Sequence, residues 1–386
     1  MKHGWEYRKI AEVTSLVADG DWIESKDQSE TGIRLIQTGN IGVGVFKAKD
    51  DKPHYISEET FARLGCTEIF EGDCLVSRLP DPIGRACIIP SSINRMITAV
   101  DCTIIRFANT IYPPFFVYYS RSKQYKSSID NQTTGSTRKR ISRKNLEKVV
   151  IPVPSIEEQK KICSLLDKMN RVIEAKKEQL KELDNLAQAI FYDMFGDPVT
   201  NEKGWETQIL GDVCTLKAGK SIKASELSET MNVNLFPCYG GNGVRGYIDR
   251  YSHNRPLPII GRQGALCGNV NFAKAPFYAT EHAVVVAPKT IMDVVWLFYV
   301  LKLMHLNQYA HGVAQPGLSV QDIEPLPLIL PPLPLQQAFA EKVEAIERQK
   351  ELINQSLREV QTLFESRMDY WFSEEDDDLG QLDKLD

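Results

Sequence analysis

The sequence predicts an α+β protein made by tandem duplication, each half a β-rich globular part followed by one long helix. Three observations carry this expectation. Between Ile156 and Phe195 the residues Ile162, Leu165, Leu166, Met169, Val172, Ile173, Leu180, Leu183, Leu186, Ile190 and Met194 recur at steps of three and four, the period of one helix face, with no Gly or Pro after Glu157 to break it. A second stripe of the same period, Phe339, Val343, Ile346, Ile353, Leu357, Val360, Phe364, Met368 and Trp371, runs uninterrupted from Pro334 towards Gly380. The flanks repeat as well: Gly4-Trp-Glu6 returns as Gly204-Trp-Glu206, Val13 as Val213, and Gln159 aligns with Gln337.

The elements follow in order. Residues 1–151 form the first globular part, where runs at Ile33–Ile36, 73–77, 86–89 and Cys102–Phe107, bounded by Gly, Pro, Asn and Asp, read as strands. Residues 152–198 hold the first helix, which at about 1.5 Å per residue reaches roughly 60 Å, too long for an ordinary globular helix. Ser155 is placed to cap it, Glu158 three residues on to complete a capping box, and Gly196-Asp-Pro198 to stop it. Residues 199–328 repeat the globular part with about twenty fewer residues between preface and helix, and residues 329–372 repeat the helix. Residues 373–386, with Glu374-Glu-Asp-Asp-Asp378, read as a solvated, disordered acidic tail.

Composition narrows the function classes. A chain of 386 residues that is 42% hydrophobic and 25% charged has material for two or three ordinary soluble domains. Apolar runs such as Val294 to Leu301 fall far short of the roughly 20 residues of a membrane span, and no apolar signal region opens the chain, so a cytoplasmic location without a membrane partner is expected. The eight Cys show no Cys-x-x-Cys pair and the six His are dispersed, which gives no support to a metal site or a disulfide framework; the thiols are expected to be reduced and mostly buried.

The net charge of -5 hides a division. Residues 1–151 carry 22 basic against 18 acidic side chains and residues 199–328 carry 11 against 10, whereas both helices and the tail are acidic. From Arg121 to Lys148 there are nine cations and two acids. At its centre the amides and hydroxyls of Asn131, Gln132, Ser136 and Thr137 interleave with Arg138, Lys139 and Arg140, a pattern suited to base edges and phosphates; charge alone also fits a solvated loop, the weaker reading. Gln37, Asn40, Arg78 and Arg85 are further candidate ligand contacts in the first part. In the second, Gly312 to Ser319 aligns with Gly135 to Ser142 in frame but not in interior letters, and the candidates are Tyr239, Asn242, Arg245, Arg262, Gln263, His311 and Gln315. Arg262, Gln263 and Asn242 have planar heads that can pair bidentately with guanine or adenine.

Catalytic readings fare worse. Gly241-Asn-Gly-Val-Arg-Gly246 fits Gly-x-Gly-x-x-Gly, but no apolar-periodic helix follows it, as a dinucleotide fingerprint requires. Tyr112-Pro-Pro-Phe115 is similar to the Asn/Asp-Pro-Pro-Tyr/Phe motif of amino-methyltransferases, yet Tyr112 stands where the motif needs an amide or carboxylate. Asp101 and His282, each ending an apolar segment, read as structural polar groups. No residue is assigned a catalytic role.

The duplicated layout, the Gly-Trp-Glu prefaces and the Pro-rich approaches Ile151-Pro-Val-Pro154 and Leu330-Pro-Pro-Leu333, followed by Glu158-Gln159 and Gln336-Gln337, resemble the specificity subunit of type I restriction-modification systems over nearly the whole chain. The resemblance implies two target-recognition domains, each reading one half of a bipartite double-stranded DNA site, and two antiparallel helices forming a coiled-coil spacer. It implies docking of two methyltransferase subunits, here assigned to Glu158, Gln159, Gln336 and Gln337, and of restriction/translocase subunits. Gln336 is read as standing in the place of Glu158, which would make the two docking points unequal. The chain itself would be non-catalytic and without cofactor, with S-adenosylmethionine, ATP and Mg on the partner subunits, in a bacterial or archaeal cytoplasm. Because the two globular parts differ in sequence, the DNA site should be asymmetric, with an unread spacer set by helix length at about 3.4 Å per base pair. The rival readings are a self-sufficient DNA adenine methyltransferase and a coiled-coil protein-interaction adaptor.

Overall fold

The computed structural model describes residues 4–91, 94–135, 139–264, 266–312 and 316–373. Ser136, Thr137, Arg138, Gln315 and the acidic tail beyond residue 373 lie outside the described residues. The chain divides into two compact units, Met1–Ala175 with Leu357–Asp386, and Lys176–Ser356.

In the first unit the predicted runs are strands at Ile33–Ile36, Cys74–Ser77, Ala86–Ile88 and Cys102–Phe107. The last three join Thr14–Asp19 in an antiparallel sheet ordered Thr14–Asp19, Cys102–Phe107, Cys74–Ser77, Ala86–Ile88. Cys74–Ser77 is buried at every residue, as a central strand covered on both faces should be, and reads as a continuous short apolar run.

The second unit builds the same sheet from Cys214–Ala218, Ala283–Pro288, Leu257–Gly261 and Val270–Ala273. The registers coincide at the strand ends that lead into the loops, and differ only where the first unit has a bulge at Arg106/Phe107. Ser77 faces Cys102 and Asp19 faces Thr103; Gly261 faces Ala283 and Ala218 faces Val284. Asp19 therefore corresponds to Ala218 and Ser77 to Gly261. Each unit has a second sheet holding a parallel pair, Ile33–Ile36 with Met96–Thr98 and Phe236–Gly240 with Tyr278–Ala279. The first unit adds the short strands Gln28–Ser29 and Glu68–Ile69 to this layer, where its chain is the longer.

The long helices are Ile156–Phe195 and Leu333–Phe372, 40 residues each. Within the first unit Ile162, Leu166 and Ile173 share a core with Phe364, Met368 and Phe372, so the start of one helix meets the end of the other. Within the second unit Phe191 and Phe195 meet Phe339 at ring-centroid distances of 5.5 and 5.6 Å. The pairing is antiparallel in both units, and Lys350 Nζ joins Asp184 Oδ1 at 2.8 Å across the pair in the second.

The helix ends follow the local chemistry with one change. Ser155 Oγ accepts the Glu158 N–H at 3.2 Å, and Gly196 ends the first helix in the left-handed region at φ +73°, a conformation glycine adopts without Cβ strain. The expected capping box is not closed by Glu158: its Oε1 accepts the Trp5 indole N–H at 3.0 Å instead. The Gly-Trp-Glu preface thus reaches the helix start through its tryptophan. Among the described residues no helix is long and apolar enough to cross a membrane.

Candidate nucleic-acid interface

In both units the central strand runs directly into a seven-residue loop, Arg78 to Gly84 and Arg262 to Gly268. The backbone bonds that hold these loops match. Arg78 N–H donates to the Asp101 carbonyl at 2.9 Å, and Arg262 N–H to the His282 carbonyl at 3.1 Å. The Arg78 carbonyl accepts from Ile141 N–H and the Arg262 carbonyl from Leu318 N–H. Gly84 and Gly268 close the loops onto the carbonyls of Ser77 and Gly261, both at 2.8 Å. Asp101 and His282, read as structural ends of apolar runs, are the matching posts of this frame.

In the first unit several predicted contact residues turn out to be internal fasteners. Arg78 is 4% exposed, pairs with Asp19 Oδ1 at 3.0 Å and donates to the Val100 carbonyl. Arg85 spends its guanidinium on the carbonyls of Ile41, Thr38, Leu79 and Pro82 at 2.7 to 2.9 Å, which ties the 37–41 turn to the 78–84 loop. Burial lowers the pKa of both arginines below the ordinary guanidinium value. Asn40 is 8% exposed; its Oδ1 accepts Gln37 N–H and its Nδ2 donates to the Lys47 carbonyl. These three are corrected from ligand contacts to supports, because a planar multi-donor head suits buried carbonyls as well as bases.

The remaining candidates of this unit stay accessible. Gln37 is half-buried and lines a cavity of about 270 Å³ with Arg34, Lys49 and His54. Asn131 and Lys139 are exposed and Gln132 is half-buried. Arg140, exposed, lies 3.2 Å from Asp101 Oδ1. The hairpin that carries Arg140 pairs Thr133–Thr134 with Arg140–Ile141, and Ile141 N–H fixes it to the arginine loop.

In the second unit Tyr239 is corrected in the same way: it is 8% exposed, and its hydroxyl accepts Lys274 N–H. Gly241-Asn242 forms a two-residue hairpin turn, with Gly240 opposite Gly243, so the Gly-x-Gly-x-x-Gly match is a β-turn with no helix after it. Asn242 and Arg245 are exposed there. Gly241 abuts Gly261, which brings the turn against the Arg262 loop. Gln263, exposed, bridges through its backbone to Gly317, which in turn bridges His311. His311 is exposed with Nε2 3.2 Å from Asp322 Oδ1, and the Asp322 carboxyl is held below its usual pKa chiefly by the Ser319 hydroxyl. Asn242, Arg262, Gln263 and His311 thus sit on contiguous loops at one end of the sheet, with Arg245 on the strand that leaves the Asn242 turn.

The helix-start residues change role. Gln159 is fully buried: Oε1 accepts Tyr112 N–H at 2.7 Å, and Nε2 donates to the carbonyls of Pro154 and Thr110 at 2.8 and 2.9 Å. Gln336, 3% exposed, accepts Asp293 N–H at 2.9 Å and donates to the Pro331 carbonyl at 2.8 Å. Gln336, and not Gln337 as the sequence alignment implies, is therefore the counterpart of Gln159, and Leu335 takes the place of Glu158. The amides of Gln159 and Gln336 are committed inside the fold rather than offered to a partner, while Gln337 is exposed and Glu158 half-buried. Tyr112 N-caps the helix Pro113–Tyr119, so Tyr112-Pro-Pro-Phe115 is a Pro-initiated helix start. Sequence reasoning missed Asp19 altogether; an acid at a strand end carries no local signal of a distant arginine.

Among the described residues no group of three His, Cys, Asp or Glu could hold a metal ion. The family described as type I restriction modification DNA specificity domain matches the chain twice, at residues 2–185 and 202–362. The EcoprrI type I restriction enzyme specificity subunit of Escherichia coli is 34% identical over 248 residues, 61% of this chain and 59% of that protein. The MjaIX type I restriction enzyme specificity subunit of Methanocaldococcus jannaschii is 24% identical, covering 60% of this chain and 62% of its own. The chain thus spans about three fifths of these two relatives. The S subunit of a type I restriction-modification system from M. genitalium shares the fold at TM-score 0.56 and 16% identity over 95% of both chains. A chain from a structure described as the basis of complex assembly and conformational transition of the type I R-M system does so at TM-score 0.59 and 18% identity, over 96% of this chain and 98% of that one.

Proposed function

Because the chain belongs to the type I restriction modification DNA specificity family, we propose that it reads an asymmetric bipartite site in double-stranded DNA and positions methyltransferase and restriction subunits on it. One observation carries the reading: a single sheet frame is built twice with the same backbone bonds, while the loops it displays differ in chemistry. Asp19, Arg85 and Asp101 of the first copy meet Ala218, Asn269 and His282 in the second. A duplicated frame with unlike loops suits two unlike half-sites, whereas identical loops would favour a palindrome.

The chain's own part is recognition. Phosphate contacts from the cation-rich 121–148 segment, Lys139 and Arg140 among them, would set affinity, and polar heads on the loops would choose bases. Exposed apolar side chains on the long helices, Leu165, Val172, Leu186 and Leu352, offer contact area for partner subunits. S-adenosylmethionine, ATP and Mg would serve those partners, which carry out the chemistry.

The test is methylation-aware sequencing of DNA from cells with and without this chain, and from cells in which residues 1–151 are exchanged for the equivalent part of a relative. The expected result is a two-part motif that depends on the chain and changes in one half on exchange. A motif indifferent to the chain, or one whose two halves change together, would refute the reading.

A further inference from the structure

Arg78 and Arg262 hold the same position in the two copies of the frame, and their surroundings differ in one decisive side chain. Both guanidiniums turn to the same seat. Arg78 donates to the carbonyl of Val100, and Arg262 Nη1 to the carbonyl of Glu281, the residues that directly precede the matching posts Asp101 and His282.

In the first unit that seat is locked. Asp19 Oδ1 stands 3.0 Å from Arg78 Nη1, and Arg78 is 4% exposed. The far end of the same loop is tied by Arg85, which donates to the Leu79 and Pro82 carbonyls. Extracting such an arginine would break its ion pair with the half-buried Asp19 carboxylate and its bond to the Val100 carbonyl, an unfavourable step.

In the second unit both ties are missing. The strand register puts Ala218 where Asp19 stands, and Asn269, exposed and without a guanidinium fork, where Arg85 stands. Arg262 is half-buried, and its contacts to the carbonyls of Leu318 and Glu281 are 3.4 Å each, beyond the usual hydrogen-bond range. Among the described residues two long bonds to neutral acceptors hold this charged group, and they hold it weakly, so the guanidinium can leave its seat at small cost.

We infer that Arg262 is a base-contacting residue of the second reader, which swings from its seat onto O6 and N7 of a guanine, and that the side chain at the Asp19/Ala218 position decides whether the loop arginine reads DNA or braces the fold. The inference rests on the DNA-reading function proposed above. The guanine preference follows from the fork of two parallel donors, which matches the O6/N7 acceptor pair in the major groove.

The experiment uses the full chain in its own cells, with methylation-aware sequencing as the readout. Wild type, Arg262→Ala and Ala218→Asp are compared. The introduced carboxylate should pin Arg262 as Asp19 pins Arg78. Both variants should relax the preference for one and the same G·C position of the second half-site by about ten- to a hundredfold and leave the first half-site unchanged. Unchanged motifs in both variants would overturn the inference. So would an even loss of modification at every site in Arg262→Ala, the signature of a phosphate contact. If Ala218→Asp abolishes modification altogether, Arg262→Lys decides: it keeps the charge and loses the fork, so relaxation at that position supports the base contact and an intact motif refutes it. If wild-type cells show no bipartite motif, the proposed function itself falls, and the arginine assignment with it.

Discussion

Gly261 lies backbone to backbone against Gly241: a β-carbon on Gly261 would stand 2.2 Å from the Gly241 carbonyl oxygen. The contact presses the Asn242 turn onto the Arg262 loop. Gly261→Ala must push the two loops apart, with an expected loss of about 2 kcal/mol or more by urea unfolding of the full chain. It should also blur the second half-site while sparing the first. The first unit carries Ser77 at the matching place, so the close approach is particular to the second unit. A Gly261→Ala chain as stable as wild type would show that the turn yields freely.

Gln159 staples its long helix to the N-terminus of the helix Pro113–Tyr119, and Gln336 staples the other to that of the helix Val294–Leu303. Replacing either by Leu strands a backbone N–H and one or more carbonyls, and each buried orphan costs about 1–3 kcal/mol. Gln337→Leu, one residue along and exposed, should stay within about 0.5 kcal/mol of wild type. Equal losses at Gln336 and Gln337 in urea titrations would contradict the staple.

All eight cysteines are buried and free. Burial pushes the thiols of Cys87, Cys163 and Cys214 up to about 12 and those of Cys66 and Cys102 up to about 11, so almost no thiolate exists at neutral pH. Alkylation by iodoacetamide at pH 8 should be slow in the native protein and reach eight adducts only in denaturant, as mass spectrometry would show. Rapid native labelling of any of these five would refute the packing around it.

Tyr299 is pushed up to about 12 by burial, and burial with the Asp167 hydrogen bond raises Tyr118 further. A folded-state pKa above the unfolded value of 10 means that the folded chain keeps protons which the unfolded chain releases. The contribution of Tyr299 is whole below about pH 10 and is lost as pH rises through about 12. Tyr299→Phe should therefore lessen the alkaline fall in melting temperature between those values and leave the neutral range unaltered in slope. An identical alkaline slope would argue against a buried neutral phenol at this position.

The sequence by itself determined what depends on near neighbours. The three-and-four period of Ile162 to Met194 specified a helix because successive turns stack those side chains on one face. Short apolar runs between turn residues specified Cys74–Ser77 and Cys102–Phe107 for the same local reason. The repeated Gly-Trp-Glu preface carries the duplication in the letters alone. Only the tertiary structure decided the fate of polar side chains. Arg78, Arg85, Asn40 and Tyr239 looked like ligand contacts and are internal fasteners; Gln336 rather than Gln337 matches Gln159. An arginine pairs with a carboxylate or keeps only long contacts to carbonyls according to whether a strand distant in sequence delivers Asp19 or Ala218 beside it. That pairing is set by sheet register, and register follows from which long-range strands meet, which no local window of the chain encodes.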